Sequence, residues 1–371
     1  MAPVTSLPVG QPTHPRVPLS GYTTLRLGGP AAAFVTATTA AEAVDAVRGA
    51  DAAGTPLLVL GGGSNLVVGD PGFDGTVVHV AHRGTKIDTA GPGRVRLTVE
   101  AGEDWDHVVA GAVDAGLGGL ECLSGIPGLV GATPVQNVGA YGVEISQVLT
   151  CVDLLDRATG EVRTLPVEEL GLGYRTSVLK GTDRAVVLRA TFTLSDDGLS
   201  MPIRYTELAR ALGVRQDERV PVAAAREAVL GLRRGKGMVL DATDHDTWSA
   251  GSFFTNPIVP DADADEVLAR ITARVGPDVP VPRYPANPGA SKLSAAWLIE
   301  RAGFTKGYSR PPGRAALSTK HTLALTNRGG ATTADLLALA HTIRDGVHAT
   351  FGVTLHPEPV LVNCSLTDRP E

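Results

Sequence analysis

The segment from Gly118 to Glu144 limits what this chain can fold into more than any other. It carries glycine at 118, 119, 125, 128, 131, 139 and 142, proline at 127 and 134, and no charged side chain from Cys122 to Val143. Glycine weakens helix and strand alike, and proline lacks the amide donor, so no single regular element fits the run. It is also too apolar for a solvated linker. Two readings remain: backbone lying flat against a large bound cofactor, or a tight loop packed inside a core.

The 371-residue chain has room for two or three domains, and its 43% hydrophobic content is enough for real cores. Aromatic residues make up only 4%, so Val, Leu and Ala must fill those cores. A formal net charge of -6 without a basic tract argues against nucleic acid as the main partner, while leaving room for a local basic pocket for a phosphorylated ligand. Cys122, Cys151 and Cys364 form no CxxC pair, so neither a zinc site nor a disulfide framework follows. Buried reduced thiols in a cytoplasmic protein are expected instead. Residues 1–18 hold five prolines and no apolar segment, and read as a flexible tail rather than a signal peptide. No run of eighteen apolar residues exists, so no membrane span is expected.

Periodicity predicts helices over 40–54, 103–115, 220–234, 263–275, 292–302 and 332–351. Strands are expected over 56–60, 76–80, 94–100, 149–156, 161–165, 185–194, 321–327 and 359–363, the last returning to the first domain. The order is α/β first, mostly β in the middle and α+β at the end. No internal repeat or low-complexity segment occurs.

Gly61-Gly62-Gly63-Ser64-Asn65 follows a predicted strand, as a phosphate loop does. Its amides could converge on anionic oxygens, with Ser64 and Asn65 adding side-chain hydrogen bonds. It matches neither GxxxxGK[ST] nor GxGxxG, and an ordinary tight turn is the plain alternative. Two uncharged glycine-rich loops about sixty residues apart strengthen each other, since together they could hold a diphosphate and a flat ring.

Longer segments then match a known family in order: Thr24-Leu25-Arg26-Leu27-Gly28-Gly29, Leu58 through Leu66, and Gly125-Ile126-Pro127-Gly128 through Asn137-Val138-Gly139-Ala140-Tyr141-Gly142. Tyr174-Arg175-Thr176-Ser177, Ala250 through Pro257, Lys292 through Ile299, and His356-Pro357-Glu358-Pro359-Val360 follow. The chain thereby resembles the UDP-N-acetylenolpyruvoylglucosamine reductase (MurB) family from Leu19 to Val362. The resemblance implies an α+β fold with mixed α/β parts. It comprises a vanillyl-alcohol-oxidase (PCMH-type) FAD-binding domain of two subdomains and an α+β substrate-binding domain. The implied limits are 19–84 with a C-terminal return 356–371, then 85–218, then 219–355. It implies FAD as cofactor, NADPH as hydride donor, a UDP-sugar substrate and a monomer. The segment around Tyr205 resembles the long form of the family, in which a tyrosine loop closes over substrate.

Carried over residue by residue, the resemblance puts FAD against Gly61, Gly62, Gly63, Ser64, Asn65, Ser124, Ile126, Pro127, Gly128, Gly131, Ala132, Gln136 and Asn137. It puts substrate against Tyr141, Tyr174, Tyr205, Lys236, Asn256 and Lys292. Arg175, Ser252 and Glu358 become the catalytic set. A guanidinium suits a substrate carboxylate because it grips with two parallel bonds and keeps its charge, although a surface ion pair is the usual fate of an arginine. Ser252 resembles the proton donor of the family. Serine is a poor acid in water, so that role needs a water-excluded site; a helix or turn cap is the plain alternative. Glu358 resembles the acidic partner, and it helps most if protonated or if it orients a donor. His356, two positions earlier, departs from the pattern and is either a bystander or an influence on that acid. A zinc His-x-Glu site lacks the PCxxC it would need. Lys236 suits phosphate oxygens as a point charge, but Arg233, Arg234 and Lys236 also read as a solvated helix end. His341 and His348 lie seven apart on one helix face with no third ligand in view.

Overall fold

The computed structural model of the protein describes residues 13–284 and 288–366. Its contacts divide the chain into two compact units. The first takes in the described residues up to 17, then 31–62 and 73–239; the second takes in 18–30, 63–72 and the chain from 240 onward.

In the first unit a four-stranded sheet runs in the order His14–Pro18, Pro30–Ala37, Phe73–Val80, Leu57–Leu60. The last three strands are mutually parallel. Parallel strands need a crossover, and the helix Ala40–Ala52 supplies one between Pro30–Ala37 and Leu57–Leu60, which flank Phe73–Val80 on either side. Thr39 starts that helix by accepting the Glu42 amide at 3.1 Å, and Ala43, Val44 and Val47 turn its apolar stripe inward. A five-stranded antiparallel sheet follows, ordered Val162–Pro166, Leu149–Asp156, Ala185–Ser195, Arg94–Glu100, Thr85–Gly91. The helix Trp105–Asp114, capped by Asp104, packs Trp105 against Phe192, with ring centroids 5.8 Å apart. The Trp105 indole N–H donates to the Leu123 carbonyl at 3.1 Å, which ties the glycine-rich run to this core.

In the second unit a three-stranded sheet runs Ile258–Pro260, Ala290–Leu293, Arg283–Tyr284. The helices Asp261–Val275, Ala295–Arg301 and Thr333–Phe351 accompany it. Phe253, Phe254, Leu298, Leu336, Ile343 and Phe351 belong to one core with Leu25, Leu27 and Val67. Thr332 and Asp335 form a capping box at the start of the longest helix. The strand Val360–Val362 pairs in parallel with Leu66–Val68, so the C-terminal strand does return to an early segment.

Three expectations need correction. The proline-rich start carries a strand at His14–Pro18; the reading of 1–12 as a flexible tail lies outside the described residues. Helix does not begin at Lys292: Ala290–Leu293 is strand, held by pairing with Ile258–Pro260, and the helix starts at Ala295 after Ser294 caps the Trp297 amide. Strand is confined to Leu325–Asn327 within the expected 321–327. The other expected helices and strands are present, with ends shifted by at most three residues. The three cysteines are free, but only Cys122 is fully buried. Among the described residues no helix is long and apolar enough to cross a membrane, and no cluster of metal-ligating side chains occurs. His341 is buried, while His348 meets the Thr354 hydroxyl at 3.0 Å.

Candidate active site

The run that opened the sequence analysis combines both of its readings. Leu120, Cys122, Leu123, Ser124 and Val130 are buried in the first unit, whereas Ile126, Pro127, Gly128 and Leu129 are only half-buried. It forms short 3-10 turns at Glu121–Leu123 and Val130–Ala132 and a small hairpin, Gly139–Ala140 with Val143–Glu144. A Cβ built on Gly62 would lie 2.7 Å from the Gly128 Cα. The two glycine-rich loops therefore meet backbone to backbone within the first unit, as far as Gly62, and no other residue type fits at that approach. Such a doubled loop, with amides uncovered by side chains, fits a cofactor whose diphosphate is held by main chain.

Not every expected cofactor residue offers its side chain. The Ser124 hydroxyl donates to the Glu121 carbonyl at 2.6 Å. Asn137 is buried; its amide donates to Glu144 at 2.8 Å and to the Gly173 carbonyl at 3.0 Å, and its oxygen accepts the Ser146 amide at 3.2 Å. That side chain ties the glycine-rich run to the turn bearing Tyr174 and Arg175. Gly131 packs against Ala101, Ala132 is exposed and Gln136 half-buried. In the second unit the Gly63 carbonyl accepts the Thr24 amide, and Ser64 and Asn65 are half-buried.

Arg175 sits in the tight turn Gly173–Thr176 with φ of 55°. Asn137 (φ 46°) and Tyr141 (φ 50°) share this left-handed conformation, which is uncommon outside glycine and gathers where function over-determines backbone. The Arg175 guanidinium donates to the Gly139 carbonyl at 2.7 Å and lies 4.0 Å from Glu144 and 5.3 Å from the Tyr174 ring centroid. Tyr141 meets Tyr205 edge to face at 5.4 Å, and the Lys236 ammonium lies 5.9 Å from the Tyr141 ring centroid. Burial pushes the Tyr141 hydroxyl up to about 12, so it is a donor at neutral pH. The first unit thus brings Tyr141, Tyr205 and Lys236 together, with Arg175 bonded to the hairpin that carries Tyr141.

In the second unit the segment Phe253–Thr255 runs antiparallel to His356–Glu358. The Glu358 amide donates to the Phe253 carbonyl at 2.9 Å, and the Thr255 amide donates to the His356 carbonyl at 3.0 Å. This pairing puts Glu358 opposite Phe253, one position from Ser252, and Ser252 and Glu358 are both half-buried. The Asn65 amide reaches the Glu358 carbonyl at 3.5 Å. His356 is exposed. The Asn256 oxygen accepts the Ala295 amide at 3.0 Å, directly beyond the strand bearing Lys292.

Sequence reasoning missed a charged clamp behind the Gly125 peptide. Asp106 accepts the Gly125 amide at 2.6 Å and holds Arg226 through two bonds of 2.6 and 3.0 Å. Arg233 donates to the Gly125 carbonyl at 3.2 Å and to the Met238 carbonyl at 2.8 Å. Gly125 has φ of 72°, and a Cβ there would press on Leu230 and Val239. The available signal was the seven-residue spacing of Arg226 and Arg233, which puts both on one face of the helix Val222–Gly235.

Burial opposes ionisation of Asp106, but the bonds from Arg226 and the Gly125 amide, with the charge of Arg233, outweigh it and hold the carboxyl below the ordinary range. Asp106→Asn should cost about 2 kcal/mol, less than a fully buried pair, because the Asp106 side chain is 33% exposed. A carboxyl with a lowered folded-state pKa stabilises the fold above its unfolded value and loses that effect as the pH falls. Urea midpoints of wild type and variant should therefore converge below about pH 4. A gap that does not change with pH would count against the clamp.

The chain matches the FAD binding domain family over residues 31–166, and the C-terminal domain family of UDP-N-acetylenolpyruvoylglucosamine reductase over 242–362. It is 70% identical over 348 residues to a Saccharopolyspora erythraea protein named UDP-N-acetylenolpyruvoylglucosamine reductase, covering 94% of this chain and 95% of that one. A Nocardia farcinica protein of the same name is 60% identical over 357 residues, covering 96% and 91%. The crystal structure of the Thermus caldophilus enzyme of this name (MurB) superposes with a TM-score of 0.64 at 26% identity, covering 95% of this chain and all of that one. Two domain families in this order, and identity sustained over almost the whole length, mean that the chain belongs to the UDP-N-acetylenolpyruvoylglucosamine reductase (MurB) family.

Proposed function

We propose that this chain reduces UDP-N-acetylglucosamine enolpyruvate to UDP-N-acetylmuramate at the expense of NADPH, with bound FAD, in peptidoglycan precursor synthesis. The observation that carries the reading is the match to an FAD-binding domain followed by the reductase C-terminal domain, together with 70% identity to a reductase across 94% of the chain. We assign the FAD subdomains to 19–84 with 356–371 and to 85–218, and the UDP-sugar domain to 219–355. The substrates are soluble nucleotides, so the reaction belongs in the cytoplasm.

FAD, when bound, would supply hydride transfer from NADPH to the terminal carbon of the enolpyruvyl group. Negative charge then develops on the substrate carboxylate side as an enolate, and a proton must reach the adjacent carbon. Arg175 grips that carboxylate and stabilises the enolate as charge builds. Ser252 gives the proton; Phe253 and Phe254, both buried, help to exclude water beside it. Glu358, on the backbone paired with Phe253, orients that donor. The amides of the Gly61–Asn65 and Ser124–Gly128 loops hold the FAD diphosphate region, with Gly131, Ala132, Gln136 and Asn137 shaping the wall behind it. Tyr141, Tyr174, Tyr205, Lys236, Asn256 and Lys292 bind the UDP-sugar.

Because NADP must leave before the sugar enters, steady-state initial rates should give parallel double-reciprocal lines. The product should be the substrate plus two hydrogens by mass spectrometry. Intersecting lines would reject alternating occupancy, and absence of that product would reject the assignment of substrate.

A further inference from the structure

Lys236 follows the end of the helix Val222–Gly235, and its ammonium donates to the Glu207 carboxylate at 2.6 Å. Glu207 lies in the first turn of the helix Thr206–Leu212, directly after Tyr205. The same short segment puts Tyr205 edge to face on Tyr141 at 5.4 Å, while Arg204 and Tyr205 cover Gly142. One short segment thus engages two expected substrate contacts at once: Tyr205 covers Tyr141, and Glu207 occupies Lys236. The pair is not a buried structural bridge. The Lys236 and Glu207 side chains are 32% and 40% exposed, and Tyr205 is 43% exposed. A pair this open to water is weak and can be displaced by a stronger anion.

We infer that Glu207 is an internal competitor for Lys236, which a ligand diphosphate must displace, so that the segment discriminates between ligands with that charge and ligands without it. This rests on the reading of Lys236 as a diphosphate ligand. A diphosphate carries more negative charge than one carboxylate and offers several oxygens to the three ammonium donors, so it wins the exchange. A neutral nucleoside has nothing to offer Lys236 and leaves the pair closed. Glu207 therefore sets the affinity of the site without touching the ligand.

Calorimetric titration of the oxidised holoenzyme with UDP and with uridine tests this. Glu207→Gln should tighten UDP binding about threefold and leave uridine unchanged, as expected on removing a partly exposed competing charge. In a Lys236→Met background the same substitution should gain nothing, which separates competition at Lys236 from a general drop in negative charge. Unchanged or weaker UDP binding by Glu207→Gln, or an equal gain for uridine, would overturn the proposal. If Lys236→Met weakens UDP binding but Glu207→Gln has no effect, only the role of Glu207 falls. If Lys236→Met leaves UDP binding unaltered, the diphosphate reading of Lys236 falls with it.

Discussion

Ser252→Ala should leave reduction by NADPH nearly intact while slowing re-oxidation by the enolpyruvyl sugar roughly 10²–10⁴-fold, the usual weight of a positioned general acid. The two half-reactions separate because only the second needs a proton delivered to carbon. Ser252 precedes Phe253 and Phe254, two of the largest fully buried side chains. Its segment is fixed by the Phe253 amide bonding to Leu323 and the Glu358 amide bonding to Phe253, so loss of the hydroxyl should leave the backbone in place. A serine hydroxyl becomes a useful acid only beside a strong base and away from water. If both half-reactions slow by the same factor, Ser252 acts on binding or folding and not as the proton donor.

Arg175→Lys should slow the sugar half-reaction by roughly 10²–10³-fold, comparable to losing one preorganised donor at a developing anion. Lysine keeps the charge but not the planar fork that grips a carboxylate through two parallel bonds. The left-handed φ of 55° at this position disfavours lysine no more than arginine, so the effect should be chemical rather than conformational. The Gly139 carbonyl already engages one guanidinium nitrogen at 2.7 Å and orients the group, which an ammonium on a flexible stem cannot reproduce. Turnover equal to wild type would remove Arg175 from the reaction.

Much of the fold was legible because its signals are local. Arg94–Glu100 alternates Val95, Leu97 and Val99, and its strand limits match the expectation residue for residue. Thr332 and Asp335 announce the start of the longest helix. The Lys292 boundary was not legible, because Lys292-Leu293 has no period of its own and becomes strand only through pairing with Ile258–Pro260. The first strand was hidden for a similar reason. His14–Pro18 holds two prolines, tolerated at a sheet edge but a loop signal in sequence.

The family was legible in the glycine loops and family segments, while positioning by long-range charge was not. Asp106 reads as an ordinary first-turn acid, yet it joins residues 120 positions apart through Arg226. The left-handed backbone of Tyr141 and Arg175 leaves no trace in residue type, since neither is glycine or asparagine. The buried amide of Asn137, with partners on Glu144, Ser146 and Gly173, braces the loop against the arginine turn, a role its residue type alone does not announce.

Anaerobic stopped-flow absorbance at the flavin band tests the central claim most directly. Mixing the purified holoenzyme with NADPH should bleach the band in one fast phase. A second mixing with UDP-N-acetylglucosamine enolpyruvate should restore it, with one equivalent of UDP-N-acetylmuramate formed per flavin. A band that NADPH bleaches but the sugar cannot restore, or a protein that binds no flavin, would contradict the account.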